Sequence, residues 1–472
     1  MALLAAMLAA MPGTASTAPL PQPDARWHAM AADLERLARA ENVPALTLVV
    51  LDSGRPVLFS AMGMTPDTPF RWGSITKTVT ALTLLELARE HGLDLDGKVV
   101  DMLPAAPYRN PWAATAPMRL AHLLELSAGL PDLTRDEFRT AQGEDLGAAL
   151  YPSAQQRPVL WPPGLQHSYS NVPPAISAAV IEQLTGADFE SQVRRLVFQP
   201  LAMTHASLLP VSGLPGGFEA DGRTPIPYWD MRFRAFGALN TSPRELARLL
   251  AALLDHGRVG GRQALAESSV ARAYRVETGL TAEAGLRIGY GAGLYGWISQ
   301  GRLFHGHGGD ADGYLSRFGL LPEAGRGYLL GINSDNPPLL RRLQRRVETA
   351  LAADLAAPTQ PPELRLDPAA LTRLAGEWYP SATRFDVARW RSGEAQRGIL
   401  TVRDGHLLWQ RGTHSQQLMA VADNLFRRAG DPLATIAFVR RDGVLYLQGE
   451  LGNFVRVRPG PCPGFLAVCD PQ

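Results

Sequence analysis

The stretch RWGSITKTVT, residues 71–80, contains Lys77, one of only two lysines in a chain of 472 residues. The other is Lys98, and 44 of the 46 basic residues are arginine. Ser74 stands three positions before Lys77. Apolar residues at Val79, Leu82, Leu85 and neighbouring positions continue to about Glu90, a spacing that predicts a well-buried helix starting at the serine. Positions i and i+3 share one helix face, with Cβ atoms about 5–6 Å apart, so the amine can reach the hydroxyl. In a first turn the backbone N–H groups lack intrahelical partners and the helix dipole favours negative charge. A serine there can become alkoxide-like while its own N–H helps hold an oxyanion. Arginine keeps its proton at accessible pH, whereas a desolvated lysine can release one. An arginine-rich chain with a lysine here therefore points to a site that exchanges protons. The plainer alternative is a capped helix with a surface lysine.

Two further stretches can supply partners. In WPPGLQHSYSN (161–171), Tyr169 and Asn171 lie on a loop before an apolar helix over 172–184, whose first turn accommodates Pro173 and Pro174. A phenol near Ser and Lys can act as a general base if a cation holds its pKa down. The Asn carboxamide can hold the lysine and contact a substrate amide. In FHGHGGDADGY (304–314), His305 and His307 point to one face of a strand, and Gly308 and Gly309 let a substrate backbone approach its edge. Zinc bound through His305, His307, Asp310 and Asp312 is the competing reading. No second histidine cluster with ligand spacing accompanies them, so neither metal nor cofactor is expected.

Residues 27–43 have helical periodicity, and 44–63 read as two strands joined at Asp-Ser-Gly-Arg. Helical and loop segments dominate to about residue 257, including a capping box at SPRE (242–245). One hairpin is expected to turn near Gln300 and Gly301, and a second around Pro322 to Arg326, followed by a helix from 338 to about 355. Strands from both ends of the region predict an α/β (α+β) fold, an antiparallel sheet flanked by helices with a mostly helical insertion. A Pro-rich linker follows at 356–368. Short strands with Asp-Gly turns at 404–405 and 442–443 then predict a small β-barrel or sandwich over 369–472.

Taken in order, SITK, YSN and HGG resemble the three motifs of the serine β-lactamase and penicillin-recognising enzyme family, especially its class C-like esterases and D-amino-acid peptidases. The connectors MRLAHLLELSAGLPD (118–132), WPPG, VFQPLAMTHAS (197–207) and ALNTSPRELARLL are also similar. The resemblance covers about residues 27 to 355, placing a hydrolase domain at 26–355. It implies Ser74 as acylated nucleophile, Lys77 as its proton partner and Tyr169 as base for attack and for deacylating water. Asn171 would position substrate. His307 stands where relatives carry lysine or histidine, beside Gly308 and Gly309, and the second oxyanion N–H would be that of Asp310. The C-terminal segment resembles the lipocalin-like domain appended to many relatives. Histidine in place of lysine removes a permanent cation, and Asp310 adds negative charge. Both favour an ester, an amide or a substrate with a cationic group over efficient penicillin hydrolysis.

A formal charge of +1 and the absence of basic runs interleaved with aromatics exclude nucleic acid as the natural partner. No apolar run reaches the ~20 residues needed to span a bilayer. Residues 1–18 read as a secretory signal lacking a basic n-region, implying a periplasmic or secreted protein. Cys462 and Cys469 could then close a small disulfide loop. The expected function is an exported serine hydrolase acting on a small-molecule or peptide ester or amide. The alternative is a penicillin-binding sensor that captures peptidoglycan fragments without turnover. Oligomeric state is not legible in the sequence.

Overall fold

A computed structural model describes residues 24–140, 157–385, 387–391 and 396–456. The expected signal segment and both cysteines lie outside the described residues.

Helix α1 (Ala25–Ala40) leads into the hairpin of β1 (Leu46–Asp52) and β2 (Arg55–Met62). Its turn residues Ser53 and Gly54 both have positive φ, 51° and 71°, the geometry that matches the twist of a two-residue hairpin. A long insertion follows, carrying α2 (Thr76–His91), α3 (Val172–Thr185) and α4 (Pro243–Leu254). The chain then returns to the sheet as β3 (Tyr295–Ser299), β4 (Arg302–Asp310), β5 (Leu315–Leu321) and β6 (Arg326–Ile332), before α5 (Pro337–Ala352). Among the described residues the sheet has six strands in the order β3–β4–β5–β6–β1–β2, every pair antiparallel. Leu46 opposite Ile332 and Leu51 opposite Gly327 show how β6 closes on β1 across the insertion.

Strand periodicity sorts the core into two layers. Leu48, Val50, Tyr328 and Leu330 face α1 and α5, while Val49, Leu51, Leu329 and Phe318 face the helices of the insertion. Helix α2 is enclosed on all sides: every residue from Thr76 to Ala88 is buried. An all-round buried helix has no solvent face on which to place a charge, so Lys77 sits in the interior, whereas Lys98 is exposed.

Two local expectations are revised. The α-helix begins at Thr76, and Ser74 lies in the preceding 3-10 turn, Gly73–Ile75. Gly73 has φ of 52°, outside the helical range, which confines the regular ladder to the residues beyond it. Ser242 caps α4 by accepting from the Glu245 N–H at 3.2 Å. The Glu245 carboxylate does not reach back, however; it accepts from Thr241 Oγ1 at 2.8 Å and the His205 N–H at 2.9 Å.

Among the described residues after helix α6 (Pro368–Leu374), eight strands running from Gly376–Pro380 to Phe454–Val455 close into a barrel around Trp378, Trp409, Phe426 and Phe438. Asp404–Gly405 and Asp442–Gly443 both turn with positive φ, as Asp-Gly pairs favour. The barrel packs on the insertion through Tyr446 and Val455 against Leu165 and Leu280, and through Trp390 against Trp161. Among the described residues no helix is long and apolar enough to cross a membrane.

Phe318 is fully buried on β5, directly opposite His307 of β4. Phe318→Ala should cost roughly 3–5 kcal/mol, read as a lower denaturant midpoint. A loss below about 1 kcal/mol would show that this face of the sheet is not close-packed.

Candidate active site

Three elements bring the motif residues together. The 3-10 turn before α2 carries Ser74, the loop ahead of α3 carries Tyr169 and Asn171, and the end of β4 carries His307 to Asp310. The turn and the strand are pressed together by glycine. A Cβ on Gly309 would lie 1.9 Å from the Trp72 carbonyl oxygen, and one on Gly73 would lie 2.7 Å from the Asp310 nitrogen. Only residues without a side chain allow this approach, which sets the Asp310 backbone against the residue preceding Ser74.

Lys77 is the centre of the cluster. Its Nζ lies 2.9 Å from Ser74 Oγ, 2.6 Å from Asn171 Oδ1 and 2.9 Å from the Phe236 carbonyl. The rings of Tyr169 and Phe236 lie 4.9 and 5.4 Å from it. Burial pushes the Lys77 amine well below the ordinary lysine range; Asp132 opposes this and Arg384 adds to it. A neutral amine has two N–H donors and one lone pair. In that form the oxygens of Asn171 and Phe236 take the two donors and the lone pair is left for the Ser74 hydroxyl, whereas in the ammonium form all three oxygens accept from Nζ.

Asn171 is the N-cap position of α3 but makes no capping bond with its side chain. Its carboxamide is instead oriented by Asp132, a side chain with no exposure, whose Oδ2 accepts from Asn171 Nδ2 at 3.1 Å. Asp132 Oδ1 accepts from the Asn171 N–H at 2.8 Å and the Leu133 N–H at 2.8 Å. With its NH2 group committed to Asp132, Asn171 turns its oxygen towards Lys77.

Tyr169 is hydrogen-bonded with the Ser74 side chain, and burial pushes its phenol up to about 12 despite the opposing pull of Ser74 and Arg384. The phenol is therefore protonated at neutral pH. His307 is buried with Nδ1 2.6 Å from the Gly308 carbonyl, so Nδ1–H donates there and Nε2 accepts from the Tyr290 hydroxyl at 3.0 Å. Burial and the nearby Lys77 lower its pKa to about 3, so the ring is a neutral part of an aromatic cluster with Tyr169, Tyr290 and Tyr295. His305 has its ring 5.0 Å from that of Tyr274, edge-on. Among the described residues no cluster of three or more His, Cys, Asp or Glu side chains has metal-binding geometry.

These groups open on a cleft of about 590 Å³, bounded by Phe138, Trp229 and Met231 on one wall and by Tyr295 and Arg317 on another. Burial and the neighbouring Asp335 and Asp312 raise Asp310 to about 6. Arg384 of the barrel also reaches the cleft, with its guanidinium 4.5 Å from the Tyr169 ring centroid. Sequence reasoning alone does not single out Asp132, Tyr290, Phe236 or Arg384. Asp132 ends the connector SAGLPD, a weak signal, and Arg384 has none.

Sheet, helical insertion and Ser–Lys–Tyr cluster are together those of the β-lactamase and transpeptidase-like class. A profile of the family described as Beta-lactamase matches residues 30–353, and the chain belongs to that family. Penicillin-binding protein 4 of Amycolatopsis lactamdurans is 27% identical over 315 residues, 62% of this chain and 81% of that protein. The octameric penicillin-binding protein homologue from Pyrococcus abyssi superposes with a TM-score of 0.58 at 18% identity, covering 91% of this chain and 100% of the other. A D-stereospecific amidohydrolase from Streptomyces sp. gives a TM-score of 0.56 at 23% identity, over 70% of this chain and 99% of the other.

Gly309→Ala should force β4 away from the Trp72 carbonyl and shift the Asp310 N–H relative to Ser74. If that N–H is an oxyanion donor, its loss costs about 10²–10³-fold in rate. Acylation by a fluorophosphonate probe should fall accordingly, and labelling at the native rate would disprove the packing constraint.

Proposed function

We propose that the protein is a serine hydrolase that passes through an acyl-enzyme on Ser74, acting on a small ester or an amide such as a D-amino-acid peptide. The observation that carries this reading is the buried Lys77, whose Nζ lies 2.9 Å from Ser74 Oγ while Asn171 Oδ1 and the Phe236 carbonyl hold it by its N–H donors. Ser74 Oγ attacks the substrate carbonyl and its proton passes to Lys77. The oxyanion formed is received by the backbone N–H groups of Ser74 and Asp310. The Tyr169 phenol donates its proton to the leaving oxygen or nitrogen as the C–O or C–N bond breaks. Lys77 then returns a proton to the phenolate, so both groups end as they began. Deacylation runs these transfers in reverse with water in place of the leaving group: Tyr169 passes its proton to Lys77 and takes one from water as the water attacks, and Ser74 Oγ leaves with the proton from Lys77.

A phenol held near 12 is a poor starting base, so the proton acceptor for attack is Lys77, with Tyr169 as the donor to the leaving group. A neutral His307 supplies no cation for a substrate carboxylate. Asp310 at the cleft favours neutral or cationic substrates and leaves β-lactam turnover weak. The apolar N-terminal segment supports export to the periplasm or medium.

Ser74→Ala should abolish the fluorophosphonate adduct in intact-mass analysis. Lys77→Arg should do the same although the charge is kept, because arginine offers no lone pair to the serine. Near-normal labelling of Lys77→Arg would refute the proton-transfer role. An adduct that forms and is never released would instead indicate a penicillin-binding sensor.

Asp310 gives a pH signature. Its raised value means that the carboxylate is charged above about pH 6 and neutral below it. The ratio of kcat/KM for a cationic over a neutral p-nitrophenyl ester should therefore decline as pH falls through about 6. That dependence should vanish in Asp310→Asn, which keeps the backbone N–H. A preference for anionic esters would overturn the assignment.

A further inference from the structure

The segment Ser381–Phe385, between the first barrel strand and the following short helix, inserts against the loop that carries Tyr169 and Asn171. Gln166 Nε2 donates to the Ser381 carbonyl at 2.7 Å, and Ser381 Oγ donates to Gln166 Oε1 at 2.6 Å. Trp390 packs edge-on against Trp161, with ring centroids 5.8 Å apart. At Arg384 the segment reaches the cluster around Lys77. Arg384 Nε donates to Asp132 Oδ2 at 2.7 Å, and the Asp132 N–H donates to the Arg384 carbonyl at 3.0 Å. Asp132 is the carboxylate that orients Asn171, and Asn171 in turn holds Lys77.

We propose that Arg384, delivered by the C-terminal barrel, is a positioning residue for the Asn171–Lys77 pair, so that the active site is complete only with the barrel docked. A carboxylate without solvent exposure needs both hydrogen-bond donors and a compensating charge. Asn171 and Leu133 supply Asp132 with neutral donors, and Arg384 supplies the charge. Without it, Asp132 loses the charge that compensates it, and its hold on Asn171, and through Asn171 on Lys77, loosens.

The second effect is electrostatic. The charged groups acting on Lys77 are Asp132, which favours its ammonium form, and Arg384, which disfavours it. Neutral His307 and the Tyr169 phenol complete the surroundings, and Arg317 of β5 acts on Tyr169 from the opposite wall. Burial is the main cause of the lowered amine, and Arg384 adds to it by opposing the pull of the carboxylate that orients its partner.

This inference rests on the reading of Lys77 as proton acceptor, and the pH dependence of acylation separates the two. With a neutral p-nitrophenyl ester, the acid limb of kcat/KM marks the deprotonation of Lys77 in the free enzyme. In Arg384→Gln the limb should move to higher pH by about one unit, a loss of about tenfold below the native limb, with a lower plateau. Arg384→Lys, which keeps the charge, should leave the limb within a few tenths of a unit of the native position. Gln166→Ala, which opens the same interdomain contact without removing a charge, should leave it in place. The limb's position does not depend on the fraction of protein that folds, so a destabilised variant remains informative. A uniform loss in Arg384→Gln at every pH, an unchanged profile, or an equal shift in Arg384→Lys would overturn the proposal. Normal labelling of Lys77→Arg would instead overturn the reading of Lys77 beneath it.

Discussion

A single buried amine constrains the whole arrangement. Lys77 lies on a helix enclosed along thirteen consecutive residues, and its charge has no path to water. An ion in that position is costly unless it is paired, and an amine can avoid the cost by giving up its proton. The surroundings fix the amine by three oxygens: Asn171 Oδ1 and the Phe236 carbonyl, which can only accept, and the Ser74 hydroxyl, which can also donate to a lone pair. The polarity of each neighbour follows. Asn171 must present oxygen, so its NH2 group needs an acceptor, and that acceptor is the buried carboxylate of Asp132.

Asp132 introduces the opposite problem, a negative charge in the interior. The barrel answers it with Arg384, so the charge balance of the cluster crosses between two separately built units of the chain. The same logic explains His307. Buried against Tyr290, a protonated imidazole would be an uncompensated cation, and burial holds the ring neutral. The cleft thus keeps its ionised groups, Asp310, Arg317 and Arg384, at its walls rather than beside Ser74.

Much of the architecture follows from local pattern. Apolar runs in β1 and β6 predict strands buried on both faces, and the turn pairs Ser53–Gly54, Asp404–Gly405 and Asp442–Gly443 supply the backbone conformations that hairpins require. The rarity of lysine is enough to mark position 77, because arginine cannot release a proton at accessible pH. Less of the site is legible. The place of Ser74 in a 3-10 turn depends on β4 pressing against Gly73, a contact between segments far apart in the chain. Tyr290 and Arg384 sit in stretches without distinguishing composition.

Residue order was sufficient to pick out the serine, its amine, the phenol and the sheet with its helical insertion. These rest on spacing within short segments and on the chemistry of single residue types. Which groups are ionised, and which way the Asn171 amide faces, were settled only when the chain packed. Protonation depends on desolvation and on charges brought close in space. The two charges that act on Lys77 come from the connector ending at Asp132 and from the barrel beyond the linker. No local pattern encodes a field assembled from such distant parts of one chain.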